Sequence, residues 1–357
     1  MRRFVICFLL TCMLCTSTAA AEIPDNLTDA APEQKLLEGM DFGGAGALNE
    51  GIGRMGQAVQ DQLGTILRSR VRNLVLLLMV VLLCGLTDGF FQGTASSRIR
   101  NFVPMAGALS ITLLSAGSID SLIGLGAGTI EELNQFSKAL LPTLAAATAA
   151  CGSVGTATVH QVATVFFVDL LLNLINGILI PMTYLYIGAL TAGVMLPDYP
   201  LGGIAEMLKK VITWILSGAL LIFTAYLGVG HIISGAADAL SVRVARTAIS
   251  GMVPVVGGII SEASETVLAG AGMLKNTIGI FGMLVVMATC LAPFLQLGVQ
   301  YLLYKLAAFA SGAVGIAPLV KLLNGLGGAF GLVLGMTGSC ALLLLISLLS
   351  SVAAVIP

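Results

Sequence analysis

The chain has 357 residues, of which 57% are hydrophobic and only 10% are charged, and its formal net charge is -1. This composition excludes an ordinary soluble domain, and the balanced charge gives no basic surface for nucleic acid. Apolar runs of about 20 residues recur from residue 73 onward, and a helix needs that length to cross about 30 Å of hydrocarbon. The sequence therefore predicts an all-α, polytopic membrane helix bundle.

The first residues have the features of a secretory signal peptide. Arg2 and Arg3 precede an apolar stretch at residues 4–15, and three small alanines end at Ala21. This order of basic, apolar and small residues is typical of a cleaved signal. We expect residues 1–21 to be removed and the rest of the chain to be translocated. A lipidated cysteine or an uncleaved anchor fits the same residues less well.

Residues 22–72 are expected to form an extracytoplasmic segment. Its first part is a flexible acidic lead, with eight acidic and two basic residues between Glu22 and Asp61. Apolar residues then recur at spacings of four and three, which places them on one helical stripe. They are Leu48, Ile52, Met55, Val59, Leu63 and Ile66. The stripe, followed by three arginines at 68–72, favours a helix lying on the membrane or on a partner, and packing against the protein's own membrane part is an equal alternative.

Residues 73–357 are expected to form the membrane domain, with about seven spans in a range of about six to nine. Long apolar runs indicate five spans, at residues 73–91, 102–126, 211–233, 277–298 and 326–349. Translocation of the segment before them makes the first span run inward. The three arginines then lie outside, against the positive-inside tendency, and we expect them to bind lipid headgroups or a partner there.

Three further stretches are less regular. Residues 139–196 are expected to hold two spans broken near His160, plus a short piece after Pro181. Residues 248–261 and 301–316 are too short to cross the membrane comfortably. The first of these two contains a proline and two adjacent glycines, which favours a re-entrant or broken helix.

Three polar residues share one face of an otherwise apolar helix. Asp169, Asn173 and Asn176 are spaced i, i+4 and i+7. Polar side chains are costly in lipid, so this face is expected to meet protein or water. Two interpretations stay open: hydrogen bonds between helices that hold the bundle together, and a path for a solute or a proton.

A second polar group surrounds the short piece at residues 248–261. Its members are Arg243, Arg246, Pro254, Gly257, Gly258, Glu262, Glu265 and Lys275. The two glutamates share a helical face, and the two glycines permit close approach of backbones. We expect a buried, broken or re-entrant element with an arginine as countercharge. Asp120, among four serines, is a third candidate, for which a small-residue helix contact is the favoured interpretation.

Several chemistries are disfavoured because their residues are missing. The sequence has no HExxH zinc motif and no GxxxxGK[ST] loop for ATP hydrolysis. Its seven cysteines form no CxxC…CxxC pair, and a dispersed set gives neither a disulfide framework nor a zinc site. We therefore expect no enzyme, no catalytic or metal site and no cofactor. The residues of the three polar groups are candidate intramembrane polar or gate residues.

Five strings in the second half of the chain are more specific than generic apolar runs. They are TAISGMVPVVGGIISEASETV at 247–267, Leu274-Lys275-Asn276, Leu297-Gly298, YLLYKL at 301–306 and FGLVLGM at 330–336. These strings resemble the stage III sporulation protein AE family. The resemblance is strongest between Arg243 and Leu349, and the plan of signal peptide, outer segment and polytopic body extends it over nearly the whole chain.

The resemblance implies a role in endospore formation, in an assembly that links mother cell and forespore. It implies a multi-pass protein of the mother-cell membrane facing the forespore. The implied partners are the lipid bilayer and other membrane and ring-forming proteins of the same complex, and no nucleic acid. It brings no catalytic site. Two hypotheses stay open: a membrane component of a transenvelope, secretion-like channel complex, which the acidic outer segment favours, and a stand-alone secondary transporter for a small solute.

Overall fold

The structure, a computed structural model, is helical throughout the secondary structure that it describes. It describes residues 23–32, 39–42, 46–91, 97–152, 154–196, 199–252, 257–314 and 316–353. Within these ranges, side chains are not described at 25–26, 91–101, 156, 160, 229–268 and 353. The expected signal peptide lies outside the described residues, and its cleavage stays a prediction.

The described helices are long and follow one another closely. They are α1 (Asp25–Asp29), α2 (Ala47–Phe91), α3 (Ser97–Ala150), α4 (Val154–Leu174), α5 (Ile180–Met195), α6 (Leu201–Met252), α7 (Gly257–Gly312) and α8 (Ala317–Ala353), and a π-helical turn (Ile175–Leu179) joins α4 to α5. Apolar segments fold this way because a helix bonds its backbone N–H and C=O groups internally, as hydrocarbon requires. Six described stretches are long and apolar enough to cross a membrane. The count of about seven is not confirmed, and six lies within the expected range.

The six long segments run alternately up and down. Gly51 of α2 lies beside Leu284 of α7, and Gly85 lies beside Val314, so α2 and α7 run in the same direction. Corresponding contacts make α3 and α6 parallel to α8, and α4–α5 antiparallel to it. For α3 these contacts are Gly107–Leu319 and Gly126–Val333. For α6 they are Lys209–Gly328 and Leu216–Gly335, and for α4–α5 they are Thr164–Ser347 and Leu190–Gly325. The end of α7 and the start of α8 therefore share one end of the bundle, called here the lysine end because Lys305 and Lys321 lie there.

The centre of the bundle is formed by α7 and α8. The most apolar windows of these helices are 67% and 61% buried, against 11% for α2. Close helix approach depends on small residues at the contacts. A Cβ added at Gly126 would stand 2.5 Å from Val333 Cγ1, and one at Gly282 would stand 2.7 Å from a Leu140 methyl carbon. The central helices thus pack too tightly for a larger side chain at these glycines.

The N-terminal segment differs from its expectation in two ways. The flexible lead contains the short helix α1, whose Leu27 is fully buried in the core. The expected interfacial helix and first span are one continuous helix, α2, because no proline interrupts the chain between them. The apolar stripe is divided: Met55 is buried, whereas Ile52 and Leu63 are exposed.

Two of the irregular stretches also differ from their expectation. The break expected near His160 lies instead between α3 and α4, where Gly152 adopts a positive φ of 86° that favours glycine. The chain stays helical before Pro181 through the π turn. Residues 301–312 continue α7 instead of forming a separate piece. In the stretch 248–261, α6 ends at Met252 and α7 begins at Gly257, and the broken or re-entrant element expected there stays a prediction.

Candidate functional site

A band of polar and small residues faces outward along α3, α4 and the π turn. We call it the polar face. Its members are Asp120, Ser121, Gly124, Gly128, Glu132, Gln135 and Lys138 on α3, with Asp169, Asn173 and Asn176 beside them. At 100° per residue, the α3 members fall within about a third of the helix circumference. They therefore form one continuous surface.

Two contacts between α3 and the α4–α5 segment bound the polar face. At one end the Tyr184 hydroxyl donates a hydrogen bond of 2.9 Å to Asp120 Oδ1. At the other end Lys138 Nζ lies 3.8 Å from Asp169 Oδ1, with side chains that are 55% and 45% exposed. Such an exposed pair contributes at most about 1 kcal/mol in water. Residues 120 and 138 are about 27 Å apart along the helix, close to the thickness of a hydrocarbon layer.

The stripe of Asp169, Asn173 and Asn176 lies at the surface of the bundle, with one contact to another helix. Asp169 pairs with Lys138 on α3, whereas Asn173 and Asn176 are exposed and form no hydrogen bond with another helix in the described part of the chain. The π turn contains Asn176 and precedes Pro181, which lacks the N–H of an ordinary helical residue. The structure thus brings the three residues to one surface, and their role stays a prediction.

Apolar side chains adjoin the polar face at the same height. Phe166 and Leu170 are exposed on α4, and Ile178 is exposed in the π turn next to Asn176. Such residues are suited to contact with lipid chains. The surface of α4 and the π turn therefore changes from apolar to polar around the helix circumference.

The second polar group lies where α6 meets α7. Arg243 and Arg246 belong to the last turns of α6, and Gly257, Gly258, Glu262 and Glu265 belong to the first turns of α7. Pro254 lies outside the described residues, as do the side chains of the arginines and glutamates. Lys275 is described, and it is buried. A pairing of arginine with glutamate stays a prediction.

A buried polar cluster joins α3 and α7. The Tyr304 hydroxyl donates a hydrogen bond of 2.7 Å to Ser115 Oγ, and both residues are buried. The Gln300 side chain and the Arg70 guanidinium are close enough to act on the same hydroxyl. Gln300 is 1% exposed, and its Oε1 has no hydrogen-bond partner among the described residues. Sequence reasoning considered Ser115 only beside Asp120, although Gln300 and Tyr304 share a face of an uncharged stretch.

Comparison with known proteins identifies the family. No solved structure matches the chain. The sequence matches the family described as Stage III sporulation protein AE over residues 38–355, nearly the whole chain. The chain belongs to this family. The resemblance read from the five strings is thereby confirmed.

One relative in the family is the stage III sporulation protein AE of Bacillus subtilis (strain 168). It is 25% identical over 251 residues, which cover 70% of this chain and 62% of that protein. The match therefore spans less than two thirds of the relative. Family membership gives the protein a role in sporulation, and the apolar helices make it a multi-pass membrane protein. The family is not a known enzyme family.

Proposed function

We propose that the protein is a membrane subunit of a transenvelope, secretion-like channel complex that links mother cell and forespore. In this proposal it resides in the mother-cell membrane facing the forespore and is required for endospore formation. Its partners are other membrane and ring-forming proteins of the same complex. The observation that supports the proposal is the outward polar face, which lies beside apolar surface on the same helices.

Lipid is an unfavourable neighbour for the polar face. A charged side chain costs about 2.5–3.5 kcal/mol at the centre of a bilayer on insertion scales, and less toward either surface. The face carries Asp120, Glu132 and Lys138 on one helix surface. A neighbouring protein helix offers hydrogen bonds and countercharges that lipid chains lack. The polar face is therefore suited to contact another subunit.

Two glycines make the polar face suitable for close helix contact. Gly124 and Gly128 are four residues apart, the spacing at which small residues let two membrane helices approach. A Cβ added at either one would meet nothing within 4 Å. Gly126, between them, faces the bundle, where Val333 fills the space that a Cβ would take. The outer pair thus has room for a partner that this chain does not provide.

The alternative, a stand-alone secondary transporter, is less well supported. Transporters bind their solutes near the bilayer midplane, between discontinuous helices. Asn173 and Asn176 instead face outward. Uptake of a solute by the purified protein alone in vesicles would favour the transporter, whereas purification only together with partners favours the complex.

The test of the proposal changes the polar face without disturbing the core. Leucine at both Gly124 and Gly128 should leave the protein level unchanged, because each site is open, but should prevent subunit contact. We expect partners to be lost when the variant is purified from sporulating cells, and sporulation to fall sharply. Leu170→Phe, at an exposed apolar site of α4, is the matched control and should retain both. Retention of all partners by the double glycine variant would contradict the proposal.

A further inference from the structure

A cavity of about 520 Å³ lies between the end of α7 and the start of α8. Its polar lining consists of Lys305, Lys321 and Asn324, and Phe309 stands at its side. The other lining residues are small or apolar. We propose that this cavity binds the phosphate headgroup of an anionic phospholipid.

The charges of the cavity favour an anion. No carboxylate lines it among the described residues. Lys305 Nζ donates a hydrogen bond to Asn324 Oδ1 and lies 3.4 Å from the Asn324 carbonyl oxygen, so its position is fixed. Lys209 of α6 is close enough for its ammonium group to repel that of Lys305. A phosphate placed here would offset the repulsion and accept hydrogen bonds from both lining lysines.

On α6, α7 and α8 the lysines lie where an uncharged stretch ends, as expected near a membrane–water boundary. On α6, residues 211–228 carry no charged side chain and directly follow Lys209 and Lys210. On α7 the uncharged stretch 276–304 ends at Lys305, and on α8 an uncharged stretch begins after Lys321. Three neighbouring helices therefore change from water-compatible to lipid-compatible sequence at one end of the bundle. Basic pockets between helices at this level bind anionic headgroups in other membrane proteins.

An exposed apolar stripe leads away from the cavity toward the membrane side. Phe309, Leu306 and Leu302 lie on one face of α7 and are 84%, 57% and 58% exposed. Phe309 and Leu306 follow Lys305, and Leu302 lies in the uncharged stretch before it, so the stripe passes from the cavity into that stretch. This arrangement fits a ligand with a phosphate at one end and hydrocarbon chains at the other. A free phosphate ion would leave the stripe unused.

A tryptophan reporter in the cavity tests the proposal. The chain has one tryptophan, Trp214, which is 80% exposed on α6. Trp214→Phe with Phe309→Trp places the only indole at the cavity. Its fluorescence is then measured in vesicles that mix ordinary phosphatidylcholine with acyl-brominated phosphatidylglycerol or acyl-brominated phosphatidylcholine. The quenching by each brominated lipid is compared, and the comparison gives the ratio of the association constants of phosphatidylglycerol and phosphatidylcholine at the cavity.

We expect the reporter protein to prefer phosphatidylglycerol about fivefold or more, since each basic group at the surface contributes roughly a fivefold factor. Lys305→Gln with Lys321→Gln should bring the ratio close to one, and Lys321→Gln alone, at an exposed position, should lower it partly. Lys210→Gln is the matched control, because it removes a charge at the same end but outside the cavity lining, and should keep the preference. Lys305→Arg with Lys321→Arg should also keep the preference.

Three results would overturn the proposal. The first is equal quenching by the two brominated lipids in the reporter protein. The second is an unchanged preference in both the double and the single glutamine variant. The third is loss of the preference when millimolar inorganic phosphate is added, which would assign the cavity to a soluble anion instead of a lipid.

Discussion

Tyr304 shows how a single hydroxyl is accommodated inside this bundle. Its ring packs edge-on against Phe330, with ring centroids 5.1 Å apart, and its hydroxyl donates to Ser115 Oγ. The Ser115 hydroxyl in turn donates to the carbonyl of Ile111 within its own helix, at 2.7 Å. The tyrosine therefore contributes a large buried ring and one hydrogen bond between α3 and α7. These two contributions can be separated by mutation.

We expect Tyr304→Phe to destabilise the protein only slightly, by about 0.6–1 kcal/mol, because it removes one interhelical hydrogen bond and keeps the ring. Tyr304→Ala should cost about 3–5 kcal/mol, because it leaves a cavity against Phe330. Unfolding of the purified protein in mixed micelles by increasing fractions of SDS measures both changes. Equal losses in the two variants would show that the hydroxyl, and not the ring, holds α7 to α3.

The positions of polar residues were predictable from the sequence, but their environments were not. The i, i+4, i+7 spacing placed Asp169, Asn173 and Asn176 on one helical face, and the structure brings them to one surface. The sequence could not show that this face points outward, because periodicity gives the relation of residues within a helix and not the neighbour of that helix. The contact of Ser115 with Tyr304 joins helices that are distant in the sequence, so no local spacing indicated it.

The helical elements follow from the sequence more closely than their ends do. Apolar runs correctly predicted that residues 73–91, 102–126 and 326–349 are helical. They could not predict how far each helix extends, because polar residues also continue a helix when nothing ends it. The chain before Pro181 stays helical because a π turn absorbs the irregularity, an adjustment that depends on packing around the bundle.

The junction between the end of α6 and the start of α7 contains the second polar group. α6 ends at Met252 and α7 begins at Gly257, on either side of the expected break. Glu262 and Glu265 then lie in the second and third turns of α7. The predicted arginine partner at the end of α6 would offset their charge. The two neighbouring glycines suit close contact between the helix ends.

We expect Gly257→Leu to disrupt this junction and to lower the protein level, because it adds a large side chain where close helix contact is predicted. Glu262→Gln should be less harmful than Glu262→Leu if hydrogen bonding matters more than charge. Protein level and sporulation frequency, measured in parallel for the three variants, test this order. The same loss with glutamine as with leucine would assign the role of Glu262 to its charge.

At the scale of the whole molecule, apolar surface extends farther than one bilayer covers. Exposed Val162 lies at the level of Ser347, and exposed Leu109 lies at the level of Leu319. These two levels are about 42 Å apart along α8, against about 30 Å of hydrocarbon. Some apolar surface is therefore left for contact with other protein, in agreement with the proposed role as a subunit.

The position of the three arginines at 68–72 along the bundle bears on the orientation of the protein. They were expected outside the membrane; the Arg70 guanidinium is close enough to the Tyr304 hydroxyl to act on it electrostatically, and Tyr304 precedes Lys305. The contacts of Gly51 with Leu284 and of Gly85 with Val314 place these arginines toward the lysine end, with the uncharged residues 73–87 of α2 continuing past the level of Lys305. Positive charges concentrate on the cytoplasmic side of membrane proteins. With the lysine end in the cytoplasm, the arginines no longer oppose an outward N-terminal segment.

Because the six long helices alternate in direction, this orientation predicts one labelling site outside the cell membrane and one in the cytoplasm. α2 starts at the end of the bundle opposite the lysine end, and a translocated N-terminal segment places α1 outside with it. In a variant without the native cysteines, Asp29→Cys, at an exposed site of α1, should react with an impermeant thiol reagent in intact cells. Lys321→Cys, at an exposed site of the lysine end, should react only after the cells are opened. Labelling of Lys321→Cys alone in intact cells would show that the protein has the opposite orientation in the membrane. Labelling of both variants would contradict the alternating directions of the six helices.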